Sequence, residues 1–279
     1  MCTMKNWKTS RSLSLTGMFG LALLAFASCN KQNASSGSTA PTPLNIYLTD
    51  SPGDYKAVWV DIEKIYVNAG TDTSSSDTSG WVEAPVLRPG LYNLLDLRNG
   101  VDTVLAGVTL PAGHISQIRL VLGTDNSLVL DDGTIVPLTT PSGQQSGVKL
   151  NVDATWTPGV AYALEMDFDA GRSVVKAGNS GNYLLKPVIR TFAKAASGAL
   201  DGVVLPDSAH ASVWAVTGTD TMSAIPDATG YYKIWGAPSG TYSLFFAADT
   251  ATGYQSDTLN DIMVSLGNVT HVDTVTLHK

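Results

Sequence analysis

The sequence predicts an all-β protein built as two β-sandwich domains behind a processed leader. Two observations lead there. After residue 45 no stretch keeps the three-and-four apolar spacing of an amphipathic helix. Apolar residues recur instead in short alternating runs, punctuated by 26 glycines, 13 prolines and many Asn and Asp residues. That rhythm is the pattern of antiparallel sandwiches.

Residues 1–28 read as a signal peptide. A basic head with Lys5, Lys8 and Arg11 precedes an apolar run from Leu13 to Ala27, too short to span a bilayer comfortably. The run ends in Ala27-Ser28, directly before Cys29. The stretch "FASC" resembles a bacterial lipobox, with Phe26 where leucine is usual. The resemblance implies diacylglyceryl attachment to the Cys29 thiol, cleavage before it and acylation of the new amino terminus. Each buried methylene contributes about 0.8 kcal/mol, so two or more chains make a lasting anchor. The cysteine count agrees: the chain has Cys2 and Cys29, and processing removes the first. The folded part is then left without a disulfide, a cysteine nucleophile or a thiolate metal site. Residues 29–43, ending "NASSGSTAPTP", read as the lipidated cysteine and a flexible tether.

The first domain is expected over 44–194. It opens with strands at 44–49 and 57–67 around a turn at Asp50-Ser51-Pro52-Gly53, in which Asp50 can close an Asx-type bond. In the second strand Val58, Val60 and Ile62 share one parity and Ile65 and Val67 the other, which predicts a β-bulge near Glu63-Lys64. A polar hairpin loop follows at 68–80. Further strands are predicted at 81–86, 91–97, 103–109, 115–122, 127–131, 134–138, 148–152, 160–168 and 183–192. The small-residue joint "FAKAASGALDG" leads to a second domain over 198–279. Its strands are predicted near 200–204, 211–217, 230–235, 240–247, 261–266 and 269–277.

From Leu44 to about Lys194 the chain resembles the lipoprotein-associated domain-of-unknown-function family 4382. The residues that carry this are "YLTDSPGDYKAVWVDIEKIYV", "YNLLDL", "LPAGHISQIRLVLG", "GVKLNV", and "MDFDAGRSVV" followed by "YLLKPVIR". The resemblance implies an envelope location and a β-sandwich, and brings no activity with it. The second domain resembles the carboxypeptidase-regulatory-like, transthyretin-like module through "ALDGVV", "ASVWAV", "DATGYYKIWGAPSGTYSLFF" and "VTHVDTVTL". Such modules are close to carbohydrate-binding-like folds, and many serve as spacers.

Chemistry-bearing patterns are few. There is no G-x-S-x-G, H-E-x-x-H, Walker loop or dinucleotide fingerprint, and His114, His210, His271 and His278 are scattered. Formal charge is −7, and −10 once the basic leader is set aside. An acidic chain without a Lys/Arg run argues against nucleic acid as a partner. "LEMDFDAG" sets Glu165, Asp167 and Asp169 at alternate positions, lining one strand face with carboxylates. Three readings compete for them: a solvated face, a cation site that Asp50, Asp54 and Asp61 could complete, or half of a catalytic pair. A solvated face or local ion pairs is favoured, because the sequence has no dense calcium loop and two acids on one strand point the same way.

Aromatics supply the other candidate. With Val213, Tyr232 and Ile234 inward, alternation turns Trp214, Tyr231 and Trp235 outward, as a sugar-stacking surface or a contact with a neighbouring domain. The expectation is a non-enzymatic lipoprotein of the bacterial cell envelope, in the outer membrane, without a cofactor. It works as a binding or assembly module, with carbohydrate as a ligand of the C-terminal domain. The alternatives are a structural, protein-binding lipoprotein with that domain as spacer, and a carboxylate-dependent hydrolase. Expected partners are the membrane, through the lipid, and a glycan or an envelope protein.

Overall fold

The computed structural model describes residues 42–279 apart from 52, 70–79, 112, 141–146, 156–159, 179–180 and 219. The leader, Cys29, the tether as far as residue 41 and most of the 68–80 loop lie outside the described residues. The described part of the tether departs from expectation, because Thr42 and Pro43 already belong to the first strand and Thr42 is buried.

The first half runs through β1 (Thr42–Ser51), β2 (Ala57–Asn68), β3 (Trp81–Ala84), β4 (Gly90–Asn93), β5 (Thr103–Leu110), β6 (His114–Leu122), β7 (Ser127–Val129), β8 (Ile135–Thr139), β9 (Val148–Thr155), β10 (Tyr162–Asp169), β11 (Val174–Lys176), β12 (Tyr183–Leu185) and β13 (Ile189–Ala193). A single helical turn, α1 (Ala170–Ser173), follows β10. The second half holds β14 (Gly198–Leu205), β15 (Ser212–Thr217), β16 (Asp220–Ala224), β17 (Tyr231–Ala237), β18 (Gly240–Ala247), β19 (Asp257–Val264), β20 (Val269–His271) and β21 (Val275–Thr276). The protein is all-β.

Four sheets result. In the first half β13-β10-β1-β5 form one, and β11-β12-β8-β7-β2-β6-β9, with β3 and β4 also on β2, form the other. In the second half β17-β14-β20, with β21 on β14, face β16-β15-β18-β19. Each half closes around its own apolar cluster. The first runs from Leu44 to Leu185 and the second from Leu200 to Leu277.

Local chemistry explains most elements. The register of β2 against β6 slips between Ile62 and Lys64, so both Ile62 and Ile65 reach the core, as the parity switch predicts. The strand predicted at 91–97 stops at Asn93; Leu94–Leu97 form a 3-10 turn that buries Leu94, Leu95 and Leu97. The strand predicted at 183–192 is two strands in different sheets. Pro187 stands between them and lacks the N–H that a continuous ladder needs. β11 and β16 fall outside every strand predicted from the sequence. Both halves share one corner device. Tyr92 Oη donates to Arg88 O at 2.7 Å and Tyr242 Oη to Pro238 O at 2.9 Å, each four residues back and each two residues after a glycine. This is the tyrosine-corner arrangement of Greek-key sandwiches.

Candidate functional site

The acidic strand β10 lies in the middle of its sheet, parallel to β1 and antiparallel to β13. Its apolar parity, Leu164, Met166 and Phe168, fills the core of the first half with Leu44, Ile46 and Leu48 of β1. The other parity aligns Glu165 with Tyr47, Asp167 with Thr49 and Asp169 with Ser51, while Arg190 and Phe192 of β13 stand opposite Asp167 and Glu165. This face is polar, and it is dry. Glu165 is 1% exposed, Asp167 3% and Asp169 7%. Of the favoured reading, the solvated face is therefore corrected, while Asp167 and Glu165 do stand in local ion pairs. The segment after β4 covers the face, taking Thr49 Oγ1 on Leu97 O at 2.9 Å and on Val101 O at 3.0 Å. The second half covers it too, through Arg190 Nη2 on Trp235 O at 3.4 Å and Gly236 against the Phe192 ring.

Each acid has its own partner. Asp167 pairs with the Arg190 guanidinium and accepts from Ser51 Oγ at 3.0 Å. Glu165 faces Lys194 Nζ at 3.2 Å, and Lys194 also binds Asp102 at 2.5 Å and lies over the Tyr47 ring. Asp169 caps α1, accepting from Arg172 N at 2.8 Å. Asp50 accepts from Ala170 N at 3.0 Å, a bond across 120 residues in place of the local Asx turn. Asp61 turns away toward Gly123 and Asp125, and Asp54 lines a cleft elsewhere. Among the described residues no three acids or histidines are arranged to hold a metal ion. The cation-site candidates Glu165, Asp167 and Asp169 are thus separated by their partners: one carboxylate on lysine, one on arginine, one on a helix cap.

Burial governs the charge states here. It pushes Asp50 well above the usual carboxylate range, and raises Asp169 against the opposing bond from Arg172 N. Glu165 rises to about 7 through burial, with Lys194 pulling the other way. Burial works against the Lys194 ammonium, but its bond to Asp102 and the charge of Glu165 outweigh that and raise it.

The three outward aromatics do not share a surface. β17 and β15 belong to opposite sheets of the second sandwich, so their outer faces point apart. On β17, Tyr231 and Trp235 are half-buried beneath the turn after Leu97 of the first half. Asn99 Nδ2 reaches Tyr231 O at 3.4 Å, and a Cβ on Gly100 would lie 2.5 Å from Trp235 Nε1. Gly100, at φ +87°, supplies both the left-handed turn and the close approach. Lys233 lies over the Trp235 ring at 4.3 Å. On β15, Trp214 stands directly opposite Phe245 of β18, which is 42% exposed. Sequence reasoning missed Phe245, although inward Leu244 and Phe246 already turn it outward. It also missed Arg190 and Lys194, which share the parity of Phe192 just as the three acids share one parity of β10.

A cleft of about 520 Å³ opens where the halves meet. It is lined by Asp54 and Arg98 from the first and by Asp207, His210, Ser212 and Asp249 from the second.

Residues 41–187, just over half of the chain, match the profile of a domain of unknown function, DUF4382. The chain belongs to the DUF4382 family. No curated protein matches it. Among solved structures the DUF4382 chain is similar to a cohesin-X-dockerin complex from Acetivibrio cellulolyticus, at 19% identity and TM-score 0.24, over 29% of this chain and 56% of that one. It is also similar to the Bacillus anthracis TIE protein, at 12% identity and TM-score 0.22, over 86% of this chain and 34% of that one. A third is BcpA, the major pilin subunit of Bacillus cereus, at 11% identity and TM-score 0.22, over 86% and 70%. The chain thus spans about half and a third of the length of the first two. Overlaps this small carry nothing about function to the DUF4382 chain.

Glu165 yields a pH prediction. Its folded value of about 7 lies above the ordinary 4.5. Between those values the folded chain holds a proton that the unfolded chain has released. Stability therefore falls as pH rises through this window, and the loss is complete above it. Glu165→Gln, neutral throughout, is expected to lose less stability than the parent over the same range in urea unfolding. Parallel curves for the two proteins would refute the assignment.

Proposed function

We propose that this DUF4382 chain is a bacterial envelope lipoprotein, held to the outer membrane through Cys29, that serves as a non-enzymatic binding or assembly module. The observation that carries the binding reading is the aromatic pair on the outer sheet of the second half, half-buried Trp214 beside exposed Phe245. Large aromatic surface left in water is a usual mark of a contact site. The non-enzymatic part is supported by the acids of β10, which are committed to Arg190, Lys194 and the α1 cap beneath a covered face. A carboxylate engaged in that way does not present itself to substrate. The resemblance of residues 198–279 to carboxypeptidase-regulatory-like modules agrees with a binding or spacer role.

The second reading, a structural lipoprotein, is favoured by the packed seam between the halves, where Arg190 and Asn99 reach the carbonyls of Trp235 and Tyr231 and Gly236 lies against the Phe192 ring. The described residues from Thr42 to Lys279 belong to one compact unit, as suits a spacer.

Anchoring is tested in cells. Cys29→Ala is expected to abolish incorporation of an acyl-chain analogue and to move the protein from the membrane fraction to the soluble one. Undiminished labelling of the variant would remove the anchor from this proposal.

A further inference from the structure

We propose, resting on the binding-module reading above, that the outer face of the β16-β15-β18-β19 sheet binds an uncharged polysaccharide chain. The face carries two aromatic rings, the exposed aliphatic side chains Val216 and Met263, and hydroxyl groups between them. Alternation turns Val213, Ala215, Leu244 and Phe246 into the core and leaves Trp214 and Phe245 on the opposite side. The register makes these two direct cross-strand neighbours. Trp214 Nε1 donates to Ser212 Oγ at 2.9 Å, two residues back on the same face. That bond ties the indole along its own strand and uses its one donor, so the ring is held in place and offers apolar surface. A ring ordered before binding loses little further freedom when a ligand stacks on it.

The groups around the rings select the ligand. Ser223 stands opposite Trp214 on β16, and Ser243 shares a 2.8 Å bond with Asn260 on β19. By register, no outward position of β15, β16 or β18 carries a charged side chain; Asp261 sits in the bulge of the edge strand β19. In a chain of formal charge −7 such a face is set apart from the rest of the surface. It offers no cation to an acidic polymer and no row of carboxylates to a basic one. A neutral sugar chain matches it on both counts: C–H faces of the rings lie on Trp214 and Phe245, and ring hydroxyls meet Ser and Asn groups. Tyr231 and Trp235, on the far sheet and under the first half, take no part.

The test is retention of the purified full chain, in detergent, by insoluble neutral polysaccharides (cellulose, chitin and mannan), with polygalacturonate as the anionic comparison. Retention is expected on at least one neutral polymer and not on polygalacturonate. Trp214→Ala and Phe245→Ala are each expected to weaken it about tenfold, with the unfolding midpoint unchanged. Trp214→Tyr, which keeps a flat ring, is expected to retain most of it. Equal retention of parent and alanine variants would overturn the proposal, and so would stronger binding to polygalacturonate. Absence of retention on every neutral polymer would overturn it as well. If the chain then self-associates through a contact that Phe245→Ala breaks, the occupant is a second copy and the module reading stands without the glycan. Failure of the Cys29 experiment bears on anchoring alone and leaves this outcome untouched.

Discussion

Replacing Arg190 by alanine is expected to destabilise the folded chain by about 3 kcal/mol, the low end for breaking a buried ion pair. The loss comes from what is left behind. Asp167 stays 3% exposed beneath the second half, with only Ser51 Oγ donating to it. Arg190 also reaches Trp235 O and lies 5.8 Å from the Phe192 ring centroid, so its removal loosens the seam between the halves. Removing both charges, as in Asp167→Asn with Arg190→Met, is expected to cost less than Arg190→Ala alone. Urea unfolding at neutral pH measures both. A loss below about 1 kcal/mol, as for an exposed pair, would mean that this face is wet in solution.

Gly236→Ala is expected to cost about 3 kcal/mol, from two sources of similar size. Gly236 has φ +71°, where an L side chain costs about 1–2 kcal/mol. Its Cβ would also lie 2.3 Å from Phe192 Cε1, and overpacking of that kind costs about 1–3 kcal/mol. Phe192 belongs to the first half and Gly236 to the second, so the clash falls on the seam. The two parts separate in a double-mutant cycle. With Phe192→Ala present the ring is gone, and Gly236→Ala is expected to cost only its backbone strain. Strict additivity of the two changes would show that Phe192 does not pack on Gly236.

Much of the fold was legible because the relevant physics is local. The turn residues mark where strands stop, and period-two alternation marks which side chains share a face. Val213, Tyr232 and Ile234 point inward as alternation requires, and the parity switch in β2 is a bulge. Segments fail where one residue overrides the pattern. Pro187 sends the two parts of a single apolar run into different sheets, and the leucines after Asn93 satisfy burial better in a 3-10 turn than in a strand.

The candidate sites were legible as directions only. Alternation in "EMDFD" determined by itself that Glu165, Asp167 and Asp169 share a side. Whether that side is wet depends on what packs above it, and that is the turn after Leu97 together with β17, more than sixty residues away in either direction. The same limit applies to the aromatics. The sequence by itself turned Trp214, Tyr231 and Trp235 outward, and only the tertiary structure decided that they look opposite ways. Sheet membership follows from non-local pairing: β15 bonds to β16 and β18, while β17 bonds to β14. Alternation is a property of one strand and pairing a property of two, so the first is written along the chain and the second appears only when the chain has closed on itself.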